Sequence, residues 1–149
     1  MTTIAWDGTT LAVDRQWTSD ALKETGSKLL VEHVGGRRVA MTYTGSLRAC
    51  LHLVRWYREG ADPDKWPKEA GDVATLVVLT AEGKPAEYAG AYGYPLHAED
   101  STQAWGSGSK YALGAMHCGK SAKLAVEVAA HFDTHTGRGV ETVRAVDLV

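Results

Sequence analysis

Thr2 follows the initiator methionine directly, in the run Met1-Thr2-Thr3-Ile4-Ala5-Trp6. A side chain this small lets methionine aminopeptidase remove Met1, and the product begins with a threonine whose hydroxyl and free α-amine share one residue. An α-amine titrates near ~7.7–8.0, so at neutral pH it can accept a proton from the neighbouring hydroxyl. An ordinary threonine hydroxyl is a poor nucleophile without such a base. The same run is also a common, well-tolerated chain start, so the assignment depends on what the rest of the chain supplies.

An N-terminal threonine needs a cation to favour its alkoxide, polar groups to orient the amine, and backbone donors for an oxyanion. Asp14 and Lys28 close and open apolar runs (Leu11-Ala12-Val13 and Leu29-Leu30-Val31). If their strands are neighbours, a carboxylate and an ammonium meet beside Thr2, with Asp14 keeping Lys28 protonated. From spacing alone the pair is equally an ion pair at a sheet edge. Gly106-Ser107-Gly108 lies at a predicted strand-to-helix turn, where glycine permits close backbone approach and Ser107 sits on the bend. A phosphate cradle or a plain helix start fits that triplet too. Asp133 and Thr136 bracket the end of the last predicted helix, where the helix dipole disfavours a carboxylate. His131 and His135 are four apart, but no glutamate falls between them and no third ligand is specified, so we expect a solvated helix face and no metal. The five tryptophans (Trp6, Trp17, Trp56, Trp66, Trp105) are scattered, as core anchors would be.

The elements that must hold these residues follow from the pattern. Thr3 to Trp6 and Thr9 to Asp14 read as strands joined by the hairpin signal Asp7-Gly8. Arg15 to Gly26 is polar and reads as a loop. Ser27 to Val34 and Arg37 to Thr44 are partner strands about Gly35-Gly36. A helix opens at Gly45-Ser46 and stops at Gly60, its apolar face built on Leu47, Leu51 and Val54, widened by Cys50, Leu53 and Tyr57. Asp62 to Gly71 is a loop. Asp72 to Thr80 contains an apolar strand (Val73, Leu76, Val77, Val78, Leu79) of the kind buried on both faces, and Pro85 to Ala89 is its partner. Gly90 to Asp100 is irregular, and Thr102 to Trp105 is a short strand. One helix then reaches His117. A second, capped by Ser121, presents Leu124, Val128 and Phe132 on one face. Val140 to Val146 closes the chain as a strand. Runs of strands separated by runs of helices predict an α+β fold with antiparallel sheets.

The chain has 149 residues, formal charge −2 and two cysteines. That is one domain's length, with a core that needs no staple. No basic block favours nucleic acid, no apolar run spans a bilayer, and no secretory pattern opens the chain, so we expect neither partner and a cytoplasmic location. Reduced thiols fit that compartment.

Six fragments in order resemble the proteasome β-subunit superfamily, in particular its HslV-like bacterial and phage branch. They are Thr2-Thr3-Ile4, Leu11 to Gln16, Lys28 at a strand start, Thr44-Gly45-Ser46, Trp105-Gly106-Ser107-Gly108-Ser109-Lys110-Tyr111-Ala112-Leu113-Gly114-Ala115, and Asp133-Thr134-His135-Thr136-Gly137. The resemblance implies the four-layer αββα sandwich of the N-terminal nucleophile (Ntn) hydrolases as a single domain over residues 1–149. It implies Thr2 as nucleophile, its amine as base through a water, and Lys28 held by Asp14. It also implies Ser107, Asp133 and Thr136 as orienting groups and the Gly45 N–H as oxyanion donor. Substrate, a peptide or unfolded protein, is expected as an extended strand between the segments around Thr18 and Gly45. Trp17 and Tyr43, which flank those segments, are expected to shape the first pocket, with Thr18 and Leu47 also binding substrate. No cofactor is implied. A homo-oligomeric ring is, and docking of an ATP-dependent unfoldase stays open.

Departures accompany the likeness. The chain is short for the family, Thr136 stands where serine is commoner, and Trp17 is bulkier than the usual small residue and narrows the cleft. Met1 alone precedes Thr2, so activation would rest on methionine removal, and a retained Met1 would cap the amine. Two other readings remain: a catalytically silent scaffold or binding subunit, and an Ntn amidase acting on a small amide.

Overall fold

A computed structural model describes residues 2–19 and 21–149; Met1, and with it the expected removal of that residue, lies outside them. The strands are β1 (Thr3–Trp6), β2 (Thr10–Asp14), β3 (Gln16–Ser19), β4 (Leu22–Thr25), β5 (Leu30–Val34), β6 (Arg37–Gly45), β7 (Ala74–Leu79), β8 (Ala86–Tyr88), β9 (Gln103–Gly106) and β10 (Val140–Arg144). The helices are α1 (Leu47–Arg58), the short α2 (Lys68–Gly71), α3 (Ser109–His117) and α4 (Ala122–Phe132), with 3-10 turns at Pro63–Lys65 and Ala145–Leu148. One antiparallel sheet runs β10-β2-β1-β9, a second β5-β6-β7-β8, and β3 with β4 forms a separate hairpin. The fold is mixed α+β. Among the described residues no helix is long and apolar enough to cross a membrane.

Strand alternation explains the packing. In β1 and β2 the large residues Ile4, Trp6, Leu11 and Val13 join Ala40, Val77 and Leu79 of the second sheet in one apolar cluster. The alternate positions Ala5 and Ala12 meet α3 and α4 through Ala112, Met116, Ala122, Ala125 and Val126. The other face of the second sheet (Val39, Met41, Tyr43, Leu76, Val78) packs on Cys50, Leu53, Val54, Trp56 and Tyr57 of α1. Asp7 does more than turn the β1–β2 hairpin, because its Oδ2 also accepts the Ala122 N–H at the start of α4, 2.8 Å away.

Several expectations are corrected here. The polar stretch after Asp14 is a β-hairpin: cross-strand pairs such as Trp17 with Glu24 hold it without an apolar pattern. Lys28 does not begin a strand, since β5 starts at Leu30, and β2 and β5 belong to different sheets. Residues 62–71 hold a 3-10 turn and α2 rather than plain loop. The faces of α1 and α4 are rotated from those expected. Leu47 and Leu51 are exposed, and α4 buries Ala122, Ala125, Val126 and Ala129 while Leu124 and Phe132 stay 46% and 60% exposed. Small alanines let α4 lie close on Ala5 and Ala12, and bulkier residues on that side would hold it off.

Candidate functional site

Asp14, at the end of β2, is fully buried, and both its oxygens are saturated. Oδ1 accepts from the Thr3 N–H at 3.2 Å and from Lys28 Nζ at 3.0 Å. Oδ2 accepts from the N–H groups of Gln16 at 3.2 Å and Gly137 at 3.1 Å. Lys28 Nζ also donates to Thr2 Oγ1, 3.0 Å away. Lys28 and Thr2 are only 2% and 3% exposed, so this triad lies out of bulk water. Burial pushes the lysine's pKa down, and the adjacent Asp14 charge pulls it back up.

The β3–β4 hairpin explains how Lys28 arrives without neighbouring strands. The Gly26 N–H donates to the Arg15 carbonyl at 2.8 Å, so the excursion closes where it began. Lys28 then lies two residues beyond that closure, opposite Asp14.

On the other side of Thr2, the turn after β9 comes very close. A Cβ on Gly106 (φ +93°) would fall 1.9 Å from the Thr2 carbonyl oxygen, and one on Gly108 would fall 2.1 Å from Thr3 Oγ1. Ser107 Oγ donates to Asp133 Oδ2 at 2.6 Å and lies 3.5 Å from the Thr2 carbonyl oxygen. Thr136 Oγ1 donates to the same Asp133 oxygen at 2.7 Å and sits 2.7 Å from Thr3 Oγ1. Burial raises the Asp133 pKa, but hydrogen bonds from Ser107, Thr136 and the His135 N–H outweigh it and hold the carboxyl below its usual range. These bonds account for a carboxylate at the dipole-disfavoured end of α4.

A pocket of about 210 Å³ opens at Thr2, lined by Gln16, Trp17, Thr18, Lys28, Tyr43, Thr44, Gly45, Ser46 and Leu47 as well. That volume is of the order of one large side chain and lies below the ~300–1,000 Å³ typical of small-molecule sites. Gly45 has φ +116°, and a Cβ there would meet the Val73 carbonyl oxygen at 2.3 Å, so glycine is required. It stands just before α1, whose first turn carries no acidic residue. The positive end of that helix dipole therefore stays uncompensated beside the pocket.

All eleven residues singled out from the sequence fall in this region: Thr2, Asp14, Lys28, Ser107, Asp133 and Thr136 in one hydrogen-bonded set, and Trp17, Thr18, Tyr43, Gly45 and Leu47 around the pocket. Two contributors were not anticipated. Thr3 gives Asp14 its N–H and meets Thr136 through its hydroxyl. Gln16 is buried, and its amide donates to the Thr134 carbonyl at 2.9 Å and to Thr18 Oγ1 at 3.1 Å. Neither carries a signal in composition or spacing, since Gln16 reaches Thr134 and Thr3 reaches Thr136 across most of the chain.

No protein-family model matches the chain, and neither does any curated protein. Solved structures do match. Eukaryotic HslV from Trypanosoma brucei is 21% identical with a TM-score of 0.70, over 96% of this chain and 97% of that one. Thiobacillus denitrificans BPH is 21% identical with a TM-score of 0.69, over 96% of each chain, and matches also in its complex with epoxomicin. The Anbu (Gly-1) mutant from Hyphomicrobium sp. strain MC1 is 14% identical with a TM-score of 0.73, over 97% of this chain and 81% of that one. At these identities the likeness establishes the architecture: the chain has the fold of HslV, BPH and Anbu over nearly its whole length.

Proposed function

We propose that the chain is an N-terminal threonine peptidase, cleaving peptide bonds through an acyl-enzyme, on the four-layer αββα framework of the Ntn hydrolases. The observation that carries this reading is the buried Lys28 ammonium 3.0 Å from Thr2 Oγ1 and 3.0 Å from Asp14. Once Met1 is removed, the Thr2 amine takes the hydroxyl proton through a water, and Oγ1 attacks the scissile carbonyl. Lys28 stabilises the alkoxide while Asp14 keeps the lysine protonated. The Gly45 N–H binds the oxyanion, where one donor is typically worth ~2.7–4 kcal/mol. The carbonyl–nitrogen bond then breaks, the amine returns its proton to the leaving group, and water hydrolyses the threonine ester. Ser107, Asp133 and Thr136 orient the amine and that water. Substrate lies extended between the Thr18 and Gly45 segments, with one side chain against Trp17, Tyr43 and Leu47.

The fold of HslV and BPH supports this reading, and the exposed stripe Leu124, Val128, Phe132, with Tyr111 stacked on Phe132 at 5.3 Å, supports assembly into a homo-oligomer. A cytoplasmic setting is compatible with this reading, which does not by itself require an unfoldase partner. The test is intact-mass spectrometry before and after a peptide epoxyketone. The expected result is a chain beginning at Thr2 that gains one inhibitor mass, and no gain in Thr2→Ala. Peptide turnover retained by a folded Thr2→Ala would refute the proposal.

A further inference from the structure

We propose that Trp17 is a positioning residue for Lys28: its indole face holds the ammonium against the Thr2 hydroxyl and helps to keep it protonated. This rests on the threonine-nucleophile reading and adds to it a residue that acts through the lysine.

Lys28 Nζ lies over the Trp17 ring, 5.8 Å from its centroid, within the reach of a cation–π contact. An ammonium taken out of water loses hydration, and a π-face restores part of the lost attraction without adding a second negative charge beside the nucleophile. The seat for the ring is built into the backbone. A Cβ on Gly26 would fall 2.1 Å from Trp17 Nε1 and 2.5 Å from Cδ1, so the indole occupies space that only glycine leaves. Tyr43 backs it from β6, with ring centroids 6.2 Å apart at 50°.

Trp17 also differs from three of the other indoles. Trp56, Trp66 and Trp105 each donate their N–H to a protein oxygen (Asp62 O, Gly90 O and Glu87 Oε1). Among the described residues Trp17 makes no such bond, and its contacts run through the ring. Its position is set by what the ring touches.

Among the described residues, the charges and titratable groups acting on Lys28 include Asp14 of β2, Asp133 beyond α4 and Cys50 of α1. The Cys50 thiol is pushed up to about 11 by burial and is neutral through the working range. In the processed chain the Thr2 amine joins them. Asp14 and the indole favour the charged lysine, and burial opposes it.

The experiment is a pH titration of the Lys28 ε-methylene by 13C NMR in the full chain, assigned by the resonance missing from Lys28→Met. It reads the lysine without needing turnover. Trp17→Leu keeps an apolar cover and removes the π-face, so the midpoint should fall by ~0.4–0.7 pH units, the equivalent of a weak cation–π contact. Trp17→Phe, which keeps a ring in the seat, should fall by less than half as much. Trp17→Ala admits water and should move the midpoint upward. If Trp17→Leu does not fold, Trp17→Met takes its place with the same expectation. A midpoint unchanged in the leucine or methionine variant, or a shift in Trp17→Phe as large as in it, overturns the proposal. Failure of the epoxyketone to label Thr2 removes the peptidase reading, whereas the expected titration in that same chain upholds the Trp17–Lys28 contact by itself.

Discussion

Lys28→Met tests the electrostatic centre most directly. The substitution keeps a long apolar stem and deletes the charge, leaving a fully buried Asp14 carboxylate with the N–H groups of Thr3, Gln16 and Gly137 but without its cation. Breaking one side of a buried pair costs about 3–5 kcal/mol, because the remaining charge stays desolvated. For a chain of this size each kcal/mol corresponds to roughly 2–4 °C in Tm, so the loss should be roughly 6–20 °C. Asp14→Asn should cost a similar amount, since its amide nitrogen must face donors on one side or the other. The double variant should be less destabilised than the sum of the two, by ~0.5–3 kcal/mol of coupling. Urea unfolding of the four proteins, with Tm by calorimetry, measures this cycle. A loss below ~1 kcal/mol for Lys28→Met, the value of an exposed pair, would refute the reasoning from burial.

Gly106→Ala should cost ~1–3 kcal/mol in backbone strain and abolish epoxyketone labelling, because the new methyl group would displace the Thr2 carbonyl 1.9 Å away; labelling at the wild-type rate would count against it. Asp133 has a depressed pKa, so its contribution to stability is complete above the ordinary aspartate value of ~3.9 and is lost as pH falls through the lower folded value. Asp133→Asn should therefore flatten the acid limb of the urea midpoint below about pH 4, and parallel curves for the two proteins would contradict this. Phe132→Glu and Leu124→Glu replace exposed residues and should leave the circular dichroism unchanged while shifting sedimentation to smaller species; an unchanged distribution would remove this stripe from the assembly surface.

Much of the candidate site was legible in the chain through six fragments, mostly at the ends of elements, that resemble a known family in order, whereas spacing alone left the Asp14–Lys28 pair and the Gly106-Ser107-Gly108 turn open. Thr2, Asp14, the Gly106-Ser107-Gly108 turn and Asp133 with Thr136 all lie at such boundaries. The antiparallel α+β character followed from the pattern of strand and helix runs. What tertiary structure alone decided is the route by which those boundaries are brought together. Lys28 reaches Asp14 because a polar hairpin closes on Arg15, and hairpin pairing without an apolar face has no periodic signature. The buried faces of α1 and α4 were likewise decided by what they pack against. In α4 the pattern of large residues points to the face left outside, while close approach to Ala5 and Ala12 selects the small alanine side.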